Sequence, residues 1–281
     1  MKRRVKGILF ISICTMLTAV SVLLLFIVLG AIISRGLPAI NPAFLTTGAS
    51  DFGRRGGILY QITGTVILIT VAGSVALPIA LGAAVYQTEY IGPVIRRTAS
   101  LFIYALNGVP TIIFGLFGYI FFGVFLKMGV SWITGSFILA VMILPTLVVS
   151  IKEAIESIPL KYREAGLALG FTRLRLIRSV IIPHSFFGMV TGLLLGLARA
   201  AGETAAIMFT ATTFSGVSIP LSFHEPVTTL QTHILTLSQE ALDPGARTNA
   251  WGAALVLVAI VFIMSAGSMF VRRKLKWGAK G

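Results

Sequence analysis

Six long apolar runs set what this chain can become, at about residues 7–33, 61–86, 101–126, 132–151, 186–212 and 251–271. A helix crossing the hydrocarbon core of a bilayer needs ~20 mostly apolar residues, roughly 17–25, and each run reaches that length. Inside lipid the backbone must satisfy its own polar groups, so such runs become helices and not open strands. The rest of the sequence cannot cover a water-facing surface: 11% of the 281 residues are charged, against roughly a quarter in soluble domains. The chain is therefore read as an all-α integral membrane protein with six transmembrane helices. Its first run follows Lys2, Arg3, Arg4 and Lys6, as in a signal peptide. That run is longer than the ~7–15 apolar residues of a signal core, and no small-residue cleavage pattern follows. It is taken as an uncleaved first span.

The formal charge of +14 would suggest nucleic acid if it formed a patch. Its distribution speaks for topology instead. Lysines and arginines concentrate at the N-terminus, in the second-to-third connection (Arg96, Arg97), in the fourth-to-fifth connection (Lys152, Lys161, Arg163, Arg173, Arg175, Arg178) and in the tail (Arg272, Arg273, Lys274, Lys276, Lys280). That side holds 17 of the 23; the other holds Arg35, Arg54, Arg55, Lys127 and Arg247, and Arg199 lies within a span. Positive residues stay cytoplasmic, so both termini are expected there, with no nucleic-acid partner. Cys14 and three scattered histidines offer neither a disulfide framework nor a metal-ligand spacing. No phosphate-cradling G-x-x-x-x-G-K-[ST] loop is present, so no cofactor is expected on this chain.

Several spans carry interruptions. Pro78 lies in the second, Asn107-Gly108-Val109-Pro110 in the third and Pro145 in the fourth. Proline removes a helix hydrogen bond and crowds the preceding turn. Broken helices of this kind line substrate paths, although kinks also occur in purely structural spans, and Asn107 to Thr111 is open to both readings. In the fifth span Gly188, Gly192, Gly196 and Ala200 recur every four residues, a smooth face for close helix packing within the chain or against another subunit. Beside it lie Arg199 and Glu203, far from either span end. A central arginine costs ~2.5–3.5 kcal/mol even on the lenient insertion scale, and such groups face a bundle interior or wet cavity. Two readings fit. At four residues' spacing the pair can neutralise itself; alternatively the guanidinium fork receives a tetrahedral oxyanion, with Glu203 as the resting counter-charge. Thr204, Thr210, Thr212 and Thr213 add hydroxyls nearby.

The connection at residues 152–184 is too polar to span and too patterned for a linker. Ile158-Pro159 suits a helix start, Gly170 a left-handed helix end and Thr172 the cap of a second helix. Leu174, Ile177 and Ile181 would form that helix's apolar face. Two short helices at a corner are expected; an amphipathic loop lying on lipid headgroups would give a similar pattern, and the pattern alone leaves both open.

These residues carry a resemblance. Glu164-Ala165-Gly166, Gly170, and, after nine intervening residues, Val180-Ile181-Ile182-Pro183 resemble the coupling motif of ABC-importer permeases, with Gly166, Val180 and Ile182 as mild departures. The run from Asn107 through Thr111 to Gly118, and Ala198-Arg199-Ala200-Ala201-Gly202-Glu203-Thr204-Ala205-Ala206, resemble the third- and fifth-span signatures of phosphate-importer permeases. With Gly56-Gly57-Ile58 and Gly64-Thr65, the resemblance extends over most of residues 56–271. It implies a MetI-like six-span permease in a bacterial or archaeal inner membrane. The implied partners are a sister permease, two cytoplasmic ATPase subunits that bind the ATP, an extracytoplasmic phosphate-binding protein and a phosphate-sensing signalling apparatus. Arg199 and Glu203 map onto a charged pair along the translocation path, which Asn107, Thr111 and Thr204 would share. Glu164, Ala165, Gly166, Gly170 and Pro183 map onto the loop that enters a groove of the ATPase. The chain divides into a first span and loop (1–60), a permease domain (61–271) and a basic tail (272–281). A permease for another oxyanion, and an ion-coupled secondary carrier using Arg199 and Glu203, are the competing functions; internal repeats typical of the latter are not visible. Finally, Leu230, Ile234 and Leu237 recur on one face within 213–249, predicting a short helix over the external mouth or on lipid.

Overall fold

The computed structural model describes the backbone of residues 2–212, 219–240 and 242–278 and the side chains of 7, 9–212, 219–240 and 242–271. The side chains of Lys2, Arg3, Arg4, Lys6, Arg272, Arg273, Lys274 and Lys276, and the residues Thr213 and Lys280, lie outside that description. The described chain is almost wholly helical. Helix α1 (Lys2–Gly36) leads to a short α2 (Pro42–Thr46) and a two-residue hairpin, Ala49–Ser50 with Arg55–Gly56. The long helices that follow are α3 (Leu59–Glu89), α6 (Trp132–Glu156), α9 (Ile182–Ala201) and α12 (Pro244–Gly278). Between α3 and α6 the chain forms α4 (Pro93–Asn107) and α5 (Thr111–Gly118), the latter continued by π turns over Tyr119–Phe125.

Five helical stretches are long and apolar enough to cross a membrane, and α4 with α5 makes a sixth candidate, bent by 91°. Packing decides how that pair counts. The starts of α3 and α6 share one end of the bundle: Leu230 N donates to Thr65 Oγ1, Val227 N to Ala211 O, and Ser131 N to Thr210 O. Their last turns share the other end, where Arg163 reaches both Glu89 and the Ile155 carbonyl. Two parallel helices can be joined only by a chain that returns across the bundle, so α4 and α5 together form one broken span. Six crossings result. Because Gly36 at the end of α1 lies against Trp251 and Leu255 near the start of α12, the two helices run antiparallel, and the start of α1 and the end of α12 share one end of the bundle.

The core is built on α3 and α6. Ala72, Ala76, Ala80 and Ala84 form a fully buried four-residue stripe on α3 against Leu139, Ile143, Leu147 and Ile151 of α6. Small side chains on one partner bring the backbones close, which is the main source of helix association where lipid is as apolar as leucine. Helix α1 remains at the periphery with its apolar side chains exposed, touching chiefly α12.

At the end opposite the α1 and α12 termini, α11 (Leu230–Gln239) is held by a capping box in which Thr229 and Thr232 bond reciprocally. Leu230 and Leu237 are buried, and Ile234 packs with Leu230 against Phe44, Ile58 and Ala253, so the expected face is formed and it rests on protein. His233 is 9% exposed with its Nε2 unpartnered. Burial pushes its imidazole down to about 4, below the ~6.5 of a free histidine. The folded state thus keeps His233 neutral. The associated stability is complete above pH ~6.5 and is lost progressively as pH falls toward 4, with a ceiling of about 3 kcal/mol. His233→Phe is expected to flatten the pH dependence of thermal unfolding across that interval, measured by the midpoint of the purified protein.

Candidate functional site: a mid-membrane arginine among broken helices

Two breaks in the chain and one proline within a continuous helix meet inside the bundle. The first is the bend between Asn107 and Thr111, where Pro110 precedes α5. The second is Pro145 within α6. The third is the end of α9 at Ala201, well short of the bundle end: Gly202, Glu203 and Thr204 interrupt the helix before α10 (Ala205–Thr210). Gly115 lies against Ala206, and Gly135 against Ala211, which fixes the broken pieces side by side.

Arg199 points into this junction. Its Nη1 donates to Thr146 Oγ1 at 3.3 Å and to Asn107 Oδ1 at 3.5 Å, and the Thr146 hydroxyl donates to the same Asn107 oxygen at 3.2 Å. Thr146 lies about 14 residues along α6, ~21 Å from its start and ~15 Å from its end at ~1.5 Å per residue. The guanidinium is therefore near mid-depth, yet it stands exposed on the surface of this chain. Both bonds are longer than the usual ~2.7–3.2 Å and both use one nitrogen. Among the described residues no carboxylate is ion-paired with Arg199. A positive group at this depth, loosely held by neutral oxygens, can take up an anion without first breaking a salt bridge.

The four-residue pairing of Arg199 with Glu203 is not formed, and the reason is local. Because α9 stops at Ala201, Glu203 is no longer one turn above Arg199; its carboxylate instead accepts from Ala206 N at 3.4 Å and closes the start of α10. Asn107 joins Arg199 directly. Thr111 opens α5, and Thr204 lies in the α9–α10 break. Thr210 and Thr212 bond back to the carbonyls of Ala206 and Ile207. Thr146 was not singled out from the sequence. Its signal was present, a hydroxyl next to a mid-span proline, but only tertiary packing turns it toward Arg199.

At the other end α7 (Leu160–Ala168) and α8 (Arg173–Leu176) form the expected corner around Gly170, whose φ is +73°. Thr172 accepts from Arg175 N at 3.4 Å as the cap of α8. Beyond it the chain departs from two separate short helices. α8 continues through π turns at Ile177–Ile181 into α9, so residues 173–201 form one long helix. Pro183 supplies the cause: it lacks an N–H and crowds the preceding turn, and a π turn relieves both while the helix carries on. The inward face also differs: Leu176, Ile177 and Ile181 are buried, whereas Leu174 is 52% exposed. Gly166 is buried against Leu176, while Glu164, Ala165, Gly170 and Pro183 are exposed. A side chain at Gly170 meets nothing within 4 Å, so its constraint is conformational. Gly170→Val should leave the chain inserted but cost ~1–2 kcal/mol at the corner, read as a lowered thermal midpoint; an unchanged midpoint would show the left-handed turn to be dispensable.

The glycine stripe of α9 packs within the chain. Gly188 lies on Ala154, Gly192 on Ser150 and Gly196 on Leu147 and Ile143, while Ala200 is fully buried. Of the two packing alternatives, the intramolecular one is formed.

A bundle of broken spans around a mid-depth cation, with a polar two-helix corner at one end, defines a membrane permease domain. The family of binding-protein-dependent transport system inner membrane components matches residues 76–276, and the chain belongs to it. A probable phosphate transport system permease protein PstA of Methanocaldococcus jannaschii is 35% identical over 93% of this chain and 91% of its own length. A phosphate transport system permease protein PstA of Xylella fastidiosa is 30% identical over 87% and 85%. Among solved structures, an inward-facing MetNI methionine ABC transporter chain superposes with TM-score 0.61 at 16% identity, over 78% of this chain and 95% of that one. A bacterial alginate ABC transporter chain superposes with TM-score 0.63 at 12% identity, over 92% and 93%. These structures bear out the MetI-like permease fold.

Proposed function

We propose that this chain is the PstA-type permease subunit of an ATP-driven, binding-protein-dependent phosphate importer. The observation that carries the reading is Arg199, a mid-depth guanidinium with no carboxylate partner among the described residues, exposed between two broken spans and the helix that carries Pro145. Phosphate offers tetrahedral oxygens that match the guanidinium fork. The relatives named as phosphate permeases supply the substrate class, and the short first external connection favours a PstA over a PstC role.

In this reading the corner between α7 and α8 faces the cytoplasm, as the basic residues of 152–184 require, and both termini lie on that side. Glu164 stands exposed among Leu160, Leu167 and Leu169, which are 65%, 59% and 74% exposed. An apolar surface of this kind around one acid suits a groove on an ATPase subunit. The chain itself hydrolyses nothing and holds no cofactor; two ATPase copies bind the ATP, a PstC-like sister permease completes the path, and a PstS-like binding protein delivers phosphate at the α11 end. Cross-linking to that protein should use Ser238, exposed near the end of α11.

The test is purification of the tagged chain from a membrane that expresses the whole system. Co-purification of an ATPase and a second permease, with ATP hydrolysis stimulated by phosphate-loaded binding protein, is the expected result. Stimulation by sulfate or molybdate in place of phosphate would move the substrate to another oxyanion.

A further inference from the structure

We infer that Arg163 and Glu89 form the latch through which movement of the corner reaches the transport path. This rests on the permease reading above. Arg163 belongs to α7, directly before Glu164, and its guanidinium divides between two other helices. Nη1 donates to Glu89 Oε1 at 2.6 Å, at the end of α3, and Nη2 donates to the Ile155 carbonyl at 3.1 Å, in the last turn of α6. The pair is sheltered, with the Glu89 side chain 8% exposed and that of Arg163 20% exposed. Short, charge-assisted and largely desolvated bonds are the stiff ones.

The other hold of the corner on the core is apolar, through Leu176 and Ile177 beyond the turn; among the described residues Arg163 makes the charged bond from α7 itself. α7 packs chiefly on α8 and the turns after it, through Gly166 on Leu176 and through Tyr162 beside His184. Those contacts join α7 to the helix that becomes α9. The parallel pair α3–α6 is reached by Arg163, and α6 carries Thr146, one of the two oxygens that hold Arg199, about nine residues from Ile155. One side chain thus ties the ATPase-facing helix to two helices of the core, and one of these touches the mid-membrane cation. Arg96 reinforces the same end by donating to the Thr88 carbonyl at 2.8 Å. A planar fork can hold a carboxylate and a carbonyl at once, whereas an ammonium is a single point of attachment.

The assembled complex in proteoliposomes tests this with phosphate as the probe. Glu89→Gln keeps the shape and removes the charge. The expected result is that the ATPase still co-purifies, basal ATP hydrolysis persists, and phosphate imported per ATP hydrolysed falls about tenfold. Arg163→Lys should lose part of that ratio. The swapped double variant, Glu89→Arg with Arg163→Glu, restores opposite charges but leaves no donor for Ile155, so it should assemble and remain uncoupled. An unchanged ratio in Glu89→Gln would overturn the inference, and so would full import by the swapped pair. Loss of the ATPase from the Glu89→Gln complex would also overturn it, since the pair would then be a docking brace. If Glu89→Gln does not insert, Arg163→Gln, which also removes the charged bond, replaces it, and normal coupling there is equally fatal. Absence of an ATPase from the wild-type complex would instead remove the functional reading, and the latch with it.

Discussion

Arg199→Gln is expected to abolish phosphate uptake while the complex assembles normally. Among the described residues the side chain makes two long bonds, to Thr146 and Asn107, so glutamine costs little in packing. What it removes is the positive charge and the fork. Each charge-assisted hydrogen bond contributes ~1.5–3 kcal/mol; two of them lost to a passing anion amount to ~3–6 kcal/mol, or a fall of ~100- to ~10,000-fold in rate. Arg199→Lys keeps charge without the planar fork and should recover only part of it. Because Glu203 caps α10 and does not pair with Arg199, Glu203→Gln should be mild, its amide oxygen still accepting from Ala206. For the same reason, the double variant Arg199→Glu with Glu203→Arg should assemble without transporting. Radiolabelled phosphate uptake in proteoliposomes reads all four, and full uptake by the double variant would remove Arg199 from the path.

The spans were legible because apolar length is a property of the sequence itself, and so was the corner, since Pro159, Gly170 and Thr172 act locally on the backbone. The interruptions were legible as residues but not as geometry. Asn107 to Pro110 predicts a break; the 91° bend follows from what α5 packs against. The end of α9 at Ala201 was missed because Gly202, Glu203 and Thr204 form a weak stop signal within an otherwise apolar run. That one boundary changes the chemistry, separating Arg199 from Glu203. Likewise Leu174 and Leu176 alternate along α8, and only the position of Gly166 decides that Leu176 turns inward. The latch between Arg163 and Glu89 joins residues far apart in the chain, and a single sequence without relatives carries no sign of such a pair.

The second large effect is structural. Gly192→Leu should prevent the chain from accumulating, because α6 and α9 meet there backbone to backbone. A methyl group at Gly192 would stand 2.6 Å from Ser150 Cβ, closer than carbon atoms approach, and the obstacle is the first atom of a side chain and cannot rotate away. Ordinary overpacking costs ~1–3 kcal/mol, occasionally more; here the whole isobutyl group enters a contact repeated at Gly188 and Gly196, so separating the helices also loosens those contacts. Helix association in lipid rests on such packing, and the three glycine contacts run along the seam between these two helices. Gly192→Ala should be intermediate, and adding Ser150→Gly should relieve it by removing the atom in the way. Gly82 supplies the control: it is exposed, with nothing within 4 Å of an added Cβ, so Gly82→Ala should match or exceed the wild type in helix stability. Detergent-solubilised yield and thermal midpoint measure the series. A Gly192→Leu protein with a wild-type midpoint would mean that α9 does not lie against α6 at Ser150.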